Sequence, residues 1–172
     1  IADRFPKRES NIGDIMMEVK NWNAYHPLYS ERKVVDDVNI YVRKGEVLGI
    51  AGLMGAGRTE LAMSLFGKSY GENISGQIFL NGKEVVLNTV QDAIDHKLAY
   101  VTEDRKGNGL ILSNPIKINT TLANLDDVSK NGIIDKDKEY AVAVEYKNKL
   151  ATKCPTVEQN VGNLSGGNQQ KV

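Results

Sequence analysis

The stretch from Gly45 to Gly67, GEVLGIAGLMGAGRTELAMSLFG, constrains this chain more than any other. Val47 to Ala51 read as a short buried strand, and Leu61, Met63 and Leu65 as the core side of a helix. Between them lies a glycine-rich loop, Gly52-Leu53-Met54-Gly55-Ala56-Gly57-Arg58-Thr59. Strand, glycine loop and helix in that order are the context in which a match to G-x-x-x-x-G-K-S/T marks a loop that cradles phosphates. The match holds everywhere except at 58, where arginine replaces lysine. Glycines at 52, 55 and 57 let successive N–H groups turn inward toward phosphate oxygens. A helix opening near Arg58 adds the positive end of its dipole, and Thr59 offers a hydroxyl to Mg²⁺. A dinucleotide fingerprint is excluded, because Glu60 stands where a third glycine would have to follow Gly55 and Gly57.

The chain of 172 residues is long enough for one domain with its own core, or most of a larger one. Acidic and basic residues balance at 22 each, which gives no footprint for nucleic acid or for an anionic membrane surface. The longest nearly apolar run, Val47 to Gly57, is far short of the roughly 20 residues that span a bilayer. The polar start, IADRFPKRES, is no signal peptide, and its first residue, Ile rather than Met, reads as a cut from a longer chain. A lone cysteine, Cys154, rules out an internal disulfide and fits a reducing compartment as an inert thiol.

Along the chain, residues 1–15 read as a linker and residues 16–172 as the domain. Met16 to Trp22 and Val34 to Val42 alternate as strands of an antiparallel sheet, with Trp22 in the core. Asn81-Gly82, set between short apolar runs in Ile74 to Val86, signals a hairpin. Asn88 to Leu98 reads as an amphipathic helix and Leu98 to Thr102 as a second buried strand. The charged turn Glu103-Asp104-Arg105-Lys106-Gly107 follows, its acidic and basic residues free to pair on the surface. From about 112 the chain turns helical, with helices expected over Thr120 to Val128 and Lys136 to Lys153, the latter packing through Ala141, Val144 and Leu150.

A second motif, Leu164-Ser165-Gly166-Gly167-Asn168-Gln169, stands near the C-terminal end. Ser-Gly-Gly alone is a common loop sequence, but a Ser-Gly-Gly that opens a helix can also hold an anion. Following a phosphate loop, it makes the chain resemble the nucleotide-binding domain of ATP-binding-cassette (ABC) transporters, where LSGGQ-like residues form the signature. GLMGAGRTEL, YVTEDRK and NLSGGNQQKV further resemble the second, C-terminal ATPase half of duplicated sugar-importer subunits of the ribose/galactose/xylose type. RFPKRE would then be the tether from the first half.

The resemblance implies an α/β fold: a P-loop NTPase (ABC ATPase) core with an N-terminal antiparallel β subdomain and a helical insert over about 112–172. The part of the core that follows the signature is expected to be absent, so the chain by itself is expected to be inactive. ATP and Mg²⁺ are the implied cofactors, held by Gly52, Leu53, Met54, Gly55, Ala56, Gly57, Arg58, Thr59 and Glu60, with Thr59 on the metal. An aromatic on adenine is expected from Tyr25 or Tyr29. Leu164, Ser165, Gly166, Gly167, Asn168 and Gln169 would complete the ATP site of a partner cassette. Transmembrane permease subunits and, indirectly, a sugar-binding protein are the other implied partners, with nucleic acid excluded and the cytoplasmic face of the membrane as location.

Two departures alter that implication. Arg58 is planar and bulkier than the ammonium it replaces. Glu103 occupies the place of the family's glutamine, where a carboxylate repels the γ-phosphate unless Mg²⁺ or Arg105 offsets it. Both lead to the expectation of a site that binds nucleotide and hydrolyses it poorly. Two other readings stay open: a hydrolytically inactive regulatory domain, and a soluble ABC protein acting on nucleic acid or ribosomes.

Overall fold

Alternating apolar residues at both ends of the first loop draw two long strands together. In the computed structural model, which describes residues 9–172, Ile15–Tyr25 (β1) pairs antiparallel with Lys33–Arg43 (β2), Val19 facing Ile40 and Tyr25 facing Lys33. Glu72–Leu80 (β3) takes the other edge of β1, and Lys83–Val85 (β4) follows, giving one sheet ordered β2-β1-β3-β4. The hairpin expected at Asn81-Gly82 forms. Their φ angles of 49° and 76° are the left-handed pair that a two-residue turn between twisted strands demands. The tether RFPKRE lies largely outside the described residues; the linker's last part is drawn to the sheet, Gly13 and Asp14 pairing with Lys44.

One face of this sheet buries Val19, Trp22, Ala24, Val35 and Ile78 against Leu61 of Arg58–Leu65 (α1), Leu87 and Ala93 of Val90–Asp95 (α2). Full burial of such side chains is worth about 1.5–3 kcal/mol each. Trp22 also pins α1: its Nε1–H donates to Ser64 Oγ at 3.0 Å, and Ser64 donates to the Leu61 carbonyl at 2.9 Å. α2 is shorter than expected and starts at a capping box. Thr89 Oγ1 accepts from Asp92 N–H, and the Asp92 carboxylate accepts from Thr89 N–H.

Two expected strands do not form. Among the described residues neither Val47–Ala51 nor Leu98–Thr102 pairs with another strand, and Val47 is 82% and Val101 91% exposed. Both segments have the apolar content of a buried strand. A buried strand also needs neighbours to take its N–H and C=O groups, and the sheet ends at β2 and β4 without them.

The described chain divides between Tyr100 and Val101, and the second unit is mostly helical. Asp104 caps a single wide turn, Arg105–Gly109. Ile116–Thr121 (α3) starts four residues before the expected helix and tightens into a 3₁₀ segment, Leu122–Val128, broken at Asn124 (φ −147°, ψ 62°). Thr120 and Thr121 hydroxyls donate back to the Ile116 and Lys117 carbonyls, a competition that bends helices. A two-residue ladder, Ser129–Lys130 (β5) with Ile133–Ile134 (β6), leads into Lys136–Lys149 (α4), capped by Asp135. α4 ends four residues early, with Ala151 in the left-handed region (φ 49°). Its buried positions are Glu139 and Ala143, whereas Leu150 is half exposed and Ala141 exposed. Ala143 packs with Ile116, Val157, Val161 and Leu164. The chain then passes through Val161–Asn163 to the short helix Gly166–Gln169 (α5). Among the described residues no helix is long and apolar enough to cross a membrane.

Candidate functional site

The phosphate loop is shaped by backbone conformation. Gly55 and Gly57 adopt φ of 80° and 77°, and a Cβ at 57 would lie 2.5 Å from the Val34 carbonyl oxygen of β2. Only glycine fits there. Ala56 N–H donates to the Leu53 carbonyl at 3.0 Å to close the turn, and Leu61 N–H donates to Gly57 at 2.8 Å to open α1. Leu53 and Met54 stand in solvent at the tip. Arg58 turns its guanidinium onto the loop itself, Nη2 donating to the Leu53 carbonyl at 3.2 Å. Thr59 and Glu60 lie half-buried in the first helical turn, where a carboxylate suits the helix dipole.

This loop fits a nucleotide phosphate. Among the described residues nothing lies within 4 Å of a Cβ at Gly55. Gly52 closes the other side, its position crowded by Ala56 and the Arg58 stem. For Mg²⁺ the chain offers the Thr59 hydroxyl. Among the described residues no group of three His, Cys, Asp or Glu is placed to hold a metal. A metal bound through one or two protein oxygens and the phosphates themselves is the usual Mg²⁺ arrangement at nucleotides.

Tyr25, the last residue of β1, is half-buried with the Lys33 ammonium 5.8 Å from its ring centre. Lys33 precedes Val34, whose carbonyl lies under Gly57, so Tyr25 stands at the same end of the β1–β2 pair as the loop. Tyr29, the other aromatic candidate, is exposed and packs on His26 at 5.0 Å.

In the helical unit Leu164 is buried while Ser165, Gly166 and Gly167 are exposed. Side chains hold this loop. Asn168 Nδ2 donates to Ser165 Oγ at 3.0 Å, and Asn168 Oδ1 accepts from Lys153 N–H at 2.9 Å. The Ser165 hydroxyl therefore accepts from Asn168 and keeps its own hydrogen to give outward. Gln169 is buried and donates to the Val161 and Leu164 carbonyls. Glu103 is exposed at the start of the charged turn. The Arg105 guanidinium donates to the Gly166 carbonyl at 2.9 Å. Sequence reasoning missed this contact and the Asn168–Ser165 bond, and nothing in the spacing of 105 and 166 signals the first. Asn three residues after Ser, at a helix start, is a pattern from which the second was readable.

A family model described as ABC transporter matches residues 35–172. The L-arabinose transport ATP-binding protein AraG of Geobacillus stearothermophilus is 52% identical over all of this chain, which covers 34% of that protein. The xylose import ATP-binding protein XylG of Thermoanaerobacter pseudethanolicus (46%, 34% of its length) and the ribose import ATP-binding protein RbsA of Bacillus cereus (42%, 33%) also match across the whole chain. The chain thus spans about a third of the length of these curated relatives. That third does not bear out its placement as the second of two cassettes. A dimeric, post-hydrolysis structure of the ATP-binding cassette MJ0796, bound to ADP and Pi, superposes with a TM-score of 0.66 at 18% identity, over 91% of this chain and 66% of that one. At that identity the likeness is one of fold, that of the P-loop ABC ATPases. With the glycine loop at 52–59 and the Ser-Gly-Gly segment at 165–167 both inside the matched span, the chain belongs to the ABC transporter family.

Proposed function

We propose that this cassette binds ATP at residues 52–59 and helps energise the import of a carbohydrate at the cytoplasmic face of a membrane. Its partners in this reading are a second nucleotide-binding cassette, permease subunits and a sugar-binding protein. The substrate class is supported by relatives named for L-arabinose transport, xylose import and ribose import. Bound Mg²⁺–ATP supplies the phosphoanhydride bond whose cleavage drives transport. The chain's own residues divide the remaining work. Gly52 to Gly57 cradle phosphate with backbone N–H groups, Thr59 holds the metal, and Tyr25 stacks on adenine. Ser165 to Asn168, anchored by the buried Leu164 and Gln169, close the ATP site of the partner cassette, the Ser165 hydroxyl donating to its terminal phosphate.

The observation that carries the reading is Gly57, held left-handed under the Val34 carbonyl so that the loop turns directly into α1. A second reading applies to the cassette's own site: it retains nucleotide with little hydrolysis. Arg58 supports it, since a guanidinium bonded to Leu53 sets its charge at the side of the loop, unlike a compact ammonium between phosphates. Glu103 adds an unfavourable charge for the γ-phosphate. Titration with a fluorescent ATP analogue and Mg²⁺ tests both. Wild type binds; Gly57→Asp loses affinity at least a hundredfold, since the substitution forces a clash and adds negative charge; Arg58→Ala loses about tenfold. Wild-type protein that is folded by circular dichroism and binds nothing would overturn the proposal.

A further inference from the structure

The charged turn after Thr102 is braced from within. The Asp104 carboxylate accepts Gly107 N–H at 2.9 Å, and its carbonyl accepts Asn108 and Gly109 N–H at 2.9 and 3.1 Å. A Cβ at 107 would collide with that carboxylate. From this turn Arg105 reaches across the helical unit, Nη1 donating to the Gly166 carbonyl oxygen at 2.9 Å, while its Nε–H is buried with no acceptor among the described residues. A buried donor left unsatisfied costs stability and calls for a reason. Seating Arg105 here gains a planar cation laid against the backbone of Gly166, where even a Cβ would come within 3.4 Å of Nη2.

That backbone needs a restraint. Gly166 and Gly167 are the most permissive pair a loop can have, and among the described residues nothing lies within 4 Å of a Cβ at 167. The Gly166 carbonyl and the Gly167 N–H belong to one planar trans peptide and point in opposite directions. Whatever fixes the carbonyl therefore aims the N–H. Gln170 N–H holds it from the helix side at 3.1 Å, and Arg105 from outside.

The geometry points to Arg105 as a positioning residue for the signature loop: by holding the Gly166 carbonyl it presents the Gly167 N–H, with a positive charge beside it, to the terminal phosphate of nucleotide on the partner cassette. This rests on the reading that residues 164–169 close that partner site.

The test uses the full-length protein carrying this cassette, assembled in its transporter, with Ser165→Arg as the reference for a disabled signature. Arg105→Ala is expected to lower kcat for ATP about tenfold with KM within twofold. Binding of the fluorescent analogue at this cassette's own phosphate loop stays unchanged, and amide exchange at Gly167 to Gln169 quickens. Arg105→Lys restores part of kcat, because an ammonium can still donate to the carbonyl. If Arg105→Ala does not fold, Arg105→Met, which keeps the aliphatic stem and loses the donors, gives the same reading. Wild-type kcat in these variants, with Ser165→Arg inactive, overturns the role of Arg105 and leaves the signature reading intact. Wild-type kcat in Ser165→Arg overturns both. A fall in kcat matched by weaker binding at the cassette's own loop and a lower melting temperature makes Arg105 merely structural and also overturns the proposal.

Discussion

The two loops that carry the ABC motifs are held in different ways. The phosphate loop of the sheet unit keeps its shape through main-chain conformation: two left-handed glycines, one of them under the Val34 carbonyl, and a turn closed by Ala56 on Leu53. The signature loop of the helical unit is held by side chains, Arg105 from elsewhere in the chain on Gly166 and the loop's own Asn168 on Ser165 and Lys153. The cores differ in the same sense. Beneath the sheet lie apolar side chains with one polar pin, Trp22 to Ser64, whereas the helices enclose a charged cluster. A loop shaped by its own backbone announces itself as a motif. One shaped by distant side chains is tunable at those distant positions.

The charged cluster offers the largest effect. Lys117 on α3 lies 3.0 Å from Glu158 and 3.7 Å from the buried Glu139 of α4, which the Thr121 hydroxyl also approaches at 3.4 Å. Lys117 and Ile116 N–H bond the Val157 and Gln159 carbonyls, so this cluster anchors the segment that leads into the signature. Lys117→Met leaves the Glu139 carboxylate buried without its cation and is expected to cost the helical unit about 3 kcal/mol or more, read from denaturant unfolding. Pairing with Glu158 first, and with Glu139, holds the Lys117 ammonium above its ordinary pKa of 10.5. A raised folded-state pKa stabilises below the unfolded value, so this contribution is complete at neutral pH and is lost only as pH climbs through the folded value. An unchanged midpoint in Lys117→Met would erase the contrast between the cores.

Trp22→Phe probes the sheet side and is expected to cost less. It removes the bond to Ser64 and part of a buried ring, but Ser64 keeps Leu61 as acceptor, so no donor is orphaned. The expected loss is roughly 1–2 kcal/mol, seen as about tenfold faster amide exchange at Leu61 and Phe66 of α1 and its cap. A loss as large as that of Lys117→Met would mean that the polar pin, and not the apolar face, holds α1.

What was legible in the sequence follows the same division. Asn81-Gly82, Gly55 and Gly57 were readable because few residues tolerate the backbone they occupy. Val47 to Ala51 was misread as a strand because pairing is a property of neighbours, and no described strand lies beside it. On α4 the apolar pattern pointed to Ala141, Val144 and Leu150, of which Val144 packs against the core, while Glu139 took a buried place that only Lys117, on another helix, makes tolerable. Arg105 was visible as one charge among several. Its partner is a backbone carbonyl, which no side-chain pattern reveals.

The smallest effect tests whether local capping in the sheet unit is as self-contained as its glycine loop. Thr89→Ala removes one half of the box that starts α2 and is expected to cost about 1 kcal/mol. The Asp92 carboxyl sits below its ordinary pKa of 3.8, first because of the Thr89 side chain, then through backbone N–H groups of Thr89 and Asn88. A depressed folded-state pKa stabilises above the unfolded value, so this contribution is full at neutral pH and disappears as pH falls through the folded value. Thr89→Ala takes away the first of these causes and leaves the two backbone donors. A carboxyl NMR titration should therefore show Asp92 moving up toward its ordinary value without reaching it. A full return would mean that the backbone half of the box collapses with the hydroxyl, and that this cap, like the signature loop, depends on a side chain to hold the main chain in place.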